Sequence, residues 1–138
     1  MLIRPFAFDD AEDVVALWRA VGITRPWNDP HRDIERKLAV QPELFLVAED
    51  ADAVVGTAMA GYDGHRGWLY YLAVAPERQR SGIGSALVRE VQTRLTALGC
   101  PKLNLQVRGG DDRLIAFYRA LGYSPDDATG LGHHLIPD

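Results

Sequence analysis

The chain has 138 residues, of which 47% are hydrophobic and 25% are charged, and its formal net charge is −4. This length and composition predict one soluble globular domain over residues 1–138, and no apolar run is long enough to indicate a membrane span. The acidic balance argues against a nucleic-acid partner, which usually requires a strongly basic face.

Two features of the sequence indicate the cellular compartment of the protein, namely the first residues of the chain and the number of cysteines. The segment MLIRPFAFDD lacks the charged-then-apolar pattern of a secretory signal. Cys100 is the only cysteine, so no disulfide can form within the chain, which suits a reducing compartment. We therefore expect a cytoplasmic protein, either monomeric or homodimeric, without a membrane partner.

Apolar periodicity predicts an α/β chain in the order β-α-α-β-β-β-α-β-α-β. The predicted elements are, in chain order, a strand at 2–6, a helix at 10–21, a helix from 30 onward, strands at 43–50, 53–63 and 68–75, a helix at 83–98, a strand at 102–107, a helix at 112–122 and one or two strands around 130–136. The acidic segment 49–52 and the segment DGHRG predict two hairpin turns. Gly22, Gly99 and Gly122 predict helix ends.

The first two predicted helices begin next to capping residues. Asp9 or Asp10 can cap the first helix. Asp29 can cap the second, and Pro30 fits the first helical position.

The segment PERQRSGIGSALV, residues 76–88, is a glycine-rich loop that runs directly into a predicted helix. Its small residues let a ligand approach the backbone, and the first amides of a helix are unpaired and partly positive. Arg78, Arg80 and Arg89 add positive charge around the loop. A diphosphate group fits such a site.

Two common glycine motifs do not match this loop. A P-loop requires Lys followed by Ser or Thr after its last glycine, and no such pair occurs here. A dinucleotide fingerprint follows the first strand and ends in Gly or Ala, whereas Leu87 stands at that position and several strands precede it. A nucleotide-dependent enzyme is therefore the least favoured function.

The loop resembles the acyl-CoA-binding signature of the GNAT family of N-acetyltransferases, which runs Gln/Arg-x-x-Gly-x-Gly/Ala. Gln79, Gly82 and Gly84 fill its three fixed positions. Downstream, VRGGDDRLIAFYRALGY resembles the family's second signature, Asn-x-x-Ala-x-x-x-Tyr-x-x-x-Gly-Phe/Tyr, with Tyr118 and Tyr123 in place. With two motifs at this separation, the chain is identified as a member of the family.

The resemblance implies a mixed central sheet of six to seven strands with four helices, in which the fourth and fifth strands splay apart around the pantetheine arm of acetyl-CoA. The backbone near Leu72 would bind the arm and polarise the thioester carbonyl, and the glycine loop would bind the pyrophosphate. Acetyl-CoA would be the co-substrate, and no metal is implied. The implied acetyl-CoA-binding residues are Leu72, Ala73, Val74, Gln79, Arg80, Ser81, Gly82, Ile83, Gly84, Ser85, Asp111 and Tyr118.

The implied reaction is acetyl transfer to a primary amine, which attacks the thioester directly within a ternary complex. Tyr118 would be the general acid that protonates the departing thiolate, although the adjacent Phe117 leaves a packing role open for one of the two rings. Asp111 stands where the family usually has Asn, and Leu114 where it has Ala, so contacts along the arm depart from the family pattern. A non-catalytic acyl-CoA-binding regulator with the same fold is the alternative.

No carboxylate lies on the predicted fourth strand, WLYYLAV, to act as general base. Tyr70 is one candidate base. Asp63 and His65 are two others, although their segment also has the composition of a turn.

The loop ITRPWNDPHRDIERK occupies the place where the family binds its acceptor. Arg25, Trp27 and Asn28 of this loop, together with Tyr70, are the predicted substrate residues, and Asp29 and Asp33 add two carboxylates, either of which would suit an amine. Trp27 can form a pocket wall or staple the following helix to the core, and both interpretations stay open. The acceptor is expected to be a small amine or an amine of a protein or peptide.

Overall fold

Five strands form one mixed sheet in the order in which they occur along the chain. Their bounds are β1 Leu2–Pro5, β2 Phe45–Asp50, β3 Ala53–Tyr62, β4 Gly67–Val74 and β5 Leu103–Leu105. The first four strands pair antiparallel, whereas β5 pairs parallel with β4. The computed structural model describes residues 1–138 and divides them into two units, 1–105, which holds the sheet, and 106–138. That one domain spans the chain stays a prediction.

Four α-helices accompany the sheet, the first three in the first unit and the fourth in the second. Their bounds are α1 Ala11–Ala20, α2 Pro30–Leu38, α3 Ile83–Ala97 and α4 Asp112–Ala120. The alternation of strands and helices confirms the predicted α/β class. None of the helices is long and apolar enough to cross a membrane.

The strands predicted around residues 130–136 do not form, so the predicted count of six to seven strands is wrong. Apolar side chains favour a strand when they are buried against cross-strand neighbours. Leu131 and Leu135 are 96% and 88% exposed, so this segment lacks that burial.

Both predicted hairpins are confirmed, and their turns set the register of the central strands. Ala51 and Asp52 both have positive φ, 50° and 63°, as the two central residues of a type I′ turn do. At the second turn, the Asp63 carboxylate accepts hydrogen bonds from the amides of His65 and Arg66 at 2.8 and 2.7 Å.

The two predicted capping aspartates have different roles. Asp29 accepts a hydrogen bond of 2.9 Å from the amide of His31 and therefore caps α2, as predicted. No side chain caps α1, so the prediction that Asp9 or Asp10 caps this helix is wrong. Asp10 stands at the N-cap position. Its carboxylate instead accepts two hydrogen bonds from the Arg4 guanidinium at 2.8 and 2.9 Å, because a bidentate, charge-assisted pair is stronger than a capping bond.

Helices α1 and α3 pack on opposite faces of the sheet. Gly56 and Thr57 are neighbours on β3, so their side-chain positions point to opposite faces. Trp18 of α1 donates a hydrogen bond of 2.9 Å to Thr57. A Cβ atom at Gly56 would lie 3.0 Å from Leu87 and 3.1 Å from Ile83, so glycine lets the first turns of α3 approach the sheet closely.

Stacked rings fill the space between α1 and the sheet. Phe6 stacks on Phe45 with ring centroids 4.5 Å apart, and Trp18 lies 6.1 Å from the same ring. On its other side, Trp18 stacks on Tyr71 of β4 at 3.8 Å. The α1 face of the core therefore extends up to the ring of Tyr71.

Candidate functional site

Strands β4 and β5 pair over three residues only. The parallel register aligns residues 67–69 with residues 103–105, where β5 ends, while β4 continues to Val74. The second half of β4 therefore has no strand partner on that side, as predicted for the fourth and fifth strands. Main-chain groups on such an edge require a ligand or water to complete their hydrogen bonds.

A bulge interrupts β4 in this unpaired half. The register between β3 and β4 shifts between Thr57 and Met59, so that Tyr71 and Leu72 together stand opposite Ala58. Tyr71 has a φ of +51°, a conformation that a bulky residue adopts only where its surroundings hold it. Because a bulge leaves a peptide group outside the ladder, it can supply the amide that polarises a carbonyl.

Buried side chains hold the bulge in place. Thr57 is fully buried, and its hydroxyl donates a hydrogen bond of 2.8 Å to the carbonyl of Tyr71. The same hydroxyl accepts the hydrogen bond from the Trp18 indole, whose ring stacks on Tyr71. Both the backbone and the ring of Tyr71 are therefore fixed from the α1 side of the sheet.

The hydroxyl of Tyr71 contacts the predicted acceptor region. It donates a hydrogen bond of 2.6 Å to Oδ2 of Asp33 on α2. Asn28 Nδ2 donates to the same Asp33 oxygen at 2.5 Å and to the Tyr71 hydroxyl at 2.9 Å. We refer to these three side chains as the Asn28–Asp33–Tyr71 cluster.

The glycine loop presents unpaired amides at the start of α3. The first hydrogen bond within this helix runs from the amide of Ala86 to the carbonyl of Gly82, at 3.0 Å. The amides of residues 82–85 therefore have no partner within the helix, and no side chain caps it. Gly82 has a φ of +88°, which favours glycine at this position. This geometry suits an anion at the helix start.

The side chains of the loop differ in their partners. Arg78 forms an ion pair with Asp50 of β2, so its charge is partly balanced within the protein. Arg80 is exposed and lies within the loop, which makes it the better-placed cation for an anionic ligand. Gln79 donates a hydrogen bond of 3.2 Å to the carbonyl of Val74 and so connects the loop to the end of β4.

In the second unit, Asp111 caps helix α4. Asp111 accepts a hydrogen bond of 3.1 Å from the amide of Leu114. Tyr118 is 6% exposed, and its ring meets those of Phe117 and Tyr123 edge-on at 5.0 and 5.6 Å. Burial, and to a lesser extent the neighbouring Tyr123, raises the pKa of the Tyr118 hydroxyl. The hydroxyl therefore keeps its proton at neutral pH, as a general acid must.

A match to a family model shows the protein family to which these features point. Residues 12–123 match the model of the acetyltransferase (GNAT) family. The chain belongs to this family. An acetyltransferase of Sodalis glossinidius (strain morsitans) is 52% identical over 139 residues, covering 100% of this chain and 98% of the relative.

Solved GNAT structures share the fold. A GNAT family protein from Streptococcus pneumoniae is 28% identical, with a TM-score of 0.76 and 96% of each chain covered. AAC(6')-Iy, in complex with the bisubstrate analogue CoA-S-monomethyl-acetylneamine, has a TM-score of 0.80 at 18% identity, with 98% of each chain covered. The GNAT fold predicted from the two motifs is confirmed.

Two of the residues predicted as candidates for a general base, Tyr70 and Asp63, have shifted pKa values. Burial and the charge of Asp63 raise the pKa of Tyr70, which opposes the ionisation that a tyrosine base needs. The backbone amides of Arg66 and His65 lower the pKa of the Asp63 carboxyl, and the same bonds build the hairpin turn. No group of three or more His, Cys, Asp or Glu side chains is placed to hold a metal ion.

The predicted acceptor residues of this GNAT chain are only partly brought together. Trp27 is 63% exposed and therefore does not staple α2 to the core, while Tyr70 is 52% exposed. Arg25 donates a hydrogen bond of 3.3 Å to a main-chain carbonyl of its own loop. Asn28 contacts strand β4, because its side-chain amide donates a hydrogen bond to the hydroxyl of Tyr71. Tyr71 is not among the site residues predicted from the sequence, because a bulge cannot be recognised from the types of the residues around it.

Proposed function

We propose that this chain transfers the acetyl group of acetyl-CoA to a primary amine, which attacks the thioester directly in a ternary complex. The observation that carries the proposal is that one continuous segment contains both the β4 bulge and the uncapped start of α3. The bulge offers an amide for a carbonyl oxygen, and the helix start offers amides for a pyrophosphate.

The pyrophosphate of acetyl-CoA would bind to the amides of residues 82–85, with the exposed Arg80 as a cationic neighbour. The pantetheine arm would lie along residues 72–74, where β4 has no strand partner. Asp111, which caps α4, stays a proposed acetyl-CoA-binding residue, as the family resemblance implies. Amide groups of the arm match the main-chain donors and acceptors of a strand edge.

The reaction would proceed through a tetrahedral adduct. The amine nitrogen bonds to the carbonyl carbon, and negative charge develops on the thioester oxygen, which the amide of Leu72 stabilises. One such preorganised donor contributes about 10²–10³ in kcat. The positively charged nitrogen of the adduct loses a proton, the carbon–sulfur bond breaks, and Tyr118 gives its proton to the departing thiolate of CoA. Tyr118 then takes a proton back from solvent.

The bisubstrate analogue bound by AAC(6')-Iy, in which CoA is linked to acetylneamine, supports a site that holds CoA and an amine-bearing acceptor together. The acceptor class here is a small amine or an amine of a protein or peptide. A cytoplasmic location and a monomeric or dimeric state stay predictions.

An acceptor screen tests this function. The purified protein is incubated with acetyl-CoA and a panel of small primary amines and peptides, and released CoA is measured with a thiol-reactive dye. Reactions without acceptor measure hydrolysis, and mass spectrometry of the acceptor identifies the acetylated product. We expect acceptor-dependent release of CoA. Acetyl-CoA binding in calorimetry without turnover on any amine would favour the regulator instead, and the absence of binding would exclude both functions.

A further inference from the structure

Three polar groups from two parts of the first unit meet beside the β4 bulge. Tyr71 lies in the bulge, Asp33 lies on α2, and Asn28 lies in the loop before that helix. One nitrogen, Asn28 Nδ2, donates to both Asp33 Oδ2 and the Tyr71 oxygen, at 2.5 and 2.9 Å. The two oxygens are joined by the Tyr71 hydrogen bond of 2.6 Å, a length typical of a charge-assisted bond.

Helix α2 does not depend on the Asp33 carboxylate for its cap. Asp29 already caps α2, and Asp33 lies in the following turn. The other Asp33 oxygen accepts only a 3.3 Å hydrogen bond from the exposed Arg36, and such surface pairs contribute little to stability. The Asp33 side chain is 22% exposed, so a ligand can reach it from solvent.

We propose that the Asn28–Asp33–Tyr71 cluster binds the primary ammonium group of the acceptor, and that Tyr71 and Asp33 take a proton from the nitrogen of the adduct during acetyl transfer. This inference rests on the proposed function. The Asn28 amide shows that the two oxygens accept a shared nitrogen donor. An ammonium group offers three N–H donors and a full positive charge, so it binds the same oxygens in place of the amide.

The position of Tyr71 brings the amine to the reacting carbon. Tyr71 directly precedes Leu72, whose amide would polarise the thioester carbonyl in the proposed function. The Tyr71 ring cannot swing away freely, because it stacks on Trp18 with centroids 3.8 Å apart. Because the Tyr71 hydroxyl is fixed beside the bulge, it would hold the amine nitrogen close to the thioester carbonyl.

Each proton that leaves the acceptor nitrogen has an acceptor in the cluster or in solvent. The ammonium first loses one proton to solvent, and the neutral amine attacks the thioester carbon. The nitrogen of the adduct, now positively charged, gives a proton to the Tyr71 oxygen, while the Tyr71 hydroxyl proton passes to Asp33 Oδ2. The carbonyl re-forms as the carbon–sulfur bond breaks, and the thiolate takes a proton from the general acid. Asp33 then returns its proton to solvent, and the general acid takes one proton from solvent, so that one proton is released for each ammonium group acetylated.

Ammonium binding is tested by the side-chain amide signals of Asn28 in ¹H–¹⁵N spectra of the intact protein. We expect a saturable shift on addition of benzylamine and none with benzyl alcohol, which has the same ring without the charge. Asp33→Asn should abolish the shift, whereas the exposed Asp13→Asn should retain it. No shift with benzylamine, or an equal shift with benzyl alcohol, would overturn the ammonium site.

The proton-transfer role is tested by Tyr71→Phe, which keeps the stacked ring and removes the hydroxyl. We expect kcat to fall about 10²–10⁴-fold with an unchanged KM for acetyl-CoA, whereas Tyr62→Phe, in the hairpin turn, should keep the wild-type kcat. Full activity of Tyr71→Phe would refute this role and leave the acetyltransferase function standing. Conversely, a wild-type protein that binds benzylamine at Asn28 but acetylates no amine would refute the function and leave the ammonium site standing.

Discussion

The hydroxyl of Thr57 donates a hydrogen bond of 2.8 Å to the main-chain carbonyl of Tyr71. Thr57 is fully buried, and it accepts a hydrogen bond from the equally buried indole of Trp18. The left-handed residue of the β4 bulge is therefore held by a side chain of the adjacent strand, supported in turn by α1. The geometry of the candidate site depends on core residues that would touch no substrate.

This relationship predicts the effect of Thr57→Val. Valine has nearly the same shape but leaves the Trp18 indole and the Tyr71 carbonyl without their buried partner, at a cost of about 1–3 kcal/mol in the free energy of unfolding. Because the bulge would lose its anchor, kcat should fall while the KM for acetyl-CoA changes little. Urea denaturation and steady-state kinetics measure the two effects. Thr57→Ser, which keeps the hydroxyl, should restore kcat, and a wild-type kcat in Thr57→Val would contradict the anchoring role.

A charge placed at Gly84 tests the pyrophosphate site. Gly84→Asp adds a carboxylate among the open amides of α3, where two unit charges about 4 Å apart repel by about 4 kcal/mol near a protein surface. A carboxylate in the first turn is favourable for the helix itself, so the variant should fold. Calorimetry should show a large loss of acetyl-CoA affinity. Gly84→Ala is the matched control without charge and should bind acetyl-CoA almost normally. If Gly84→Asp bound acetyl-CoA as tightly as the wild type, the glycine loop would not be the pyrophosphate site.

The pair of Arg4 and Asp10 predicts a pH-dependent contribution to stability. The Arg4 hydrogen bonds hold the pKa of the Asp10 carboxyl below its ordinary value of 3.8, against the opposing effect of burial. A lowered folded-state pKa means that this stability is fully present above pH 3.8 and is lost as the pH falls through the lower folded-state value. Asp10→Asn should therefore unfold more easily at neutral pH, and the difference from the wild type should shrink in acid.

Denaturation curves at several pH values measure this difference. Asp13→Asn, at an exposed position in the first turn of α1, serves as the control and should show little change at any pH. A difference for Asp10→Asn that stays constant down to strongly acidic pH would show that the stabilisation does not come from the ionised carboxylate.

Features set by adjacent residues could be predicted from the sequence. The hairpin at residues 51 and 52, the Asp29 cap and the glycine-rich start of α3 depend on turn and capping chemistry within a few positions. The two motifs likewise lie within short segments, and they led to the correct family.

Features set by distant contacts could not be predicted. The β4 bulge depends on Thr57 and Trp18, which are far from Tyr71 in sequence, so the place of Tyr71 in the bulge could not be predicted. Asp10 pairs with Arg4 across the β1–α1 connection in preference to capping α1. Leu131 and its neighbours have strand-like composition but remain exposed, since composition does not reveal whether a partner strand is present.

Removing the hydroxyl of Tyr118 tests its proposed role as the general acid. Burial raises the pKa of the Tyr118 hydroxyl, so the group stays protonated through neutral pH and can donate its proton to a thiolate. Tyr118→Phe keeps the ring contacts with Phe117 and Tyr123 and should lower kcat about 10²-fold, roughly 3 kcal/mol of barrier, the low end for a general acid because a thiolate leaves readily. Steady-state kinetics should show a nearly unchanged KM for acetyl-CoA, and Tyr62→Phe should show no loss. A defect confined to KM would make Tyr118 a binding residue, and an unchanged kcat, where chemistry limits turnover, would leave it a packing residue.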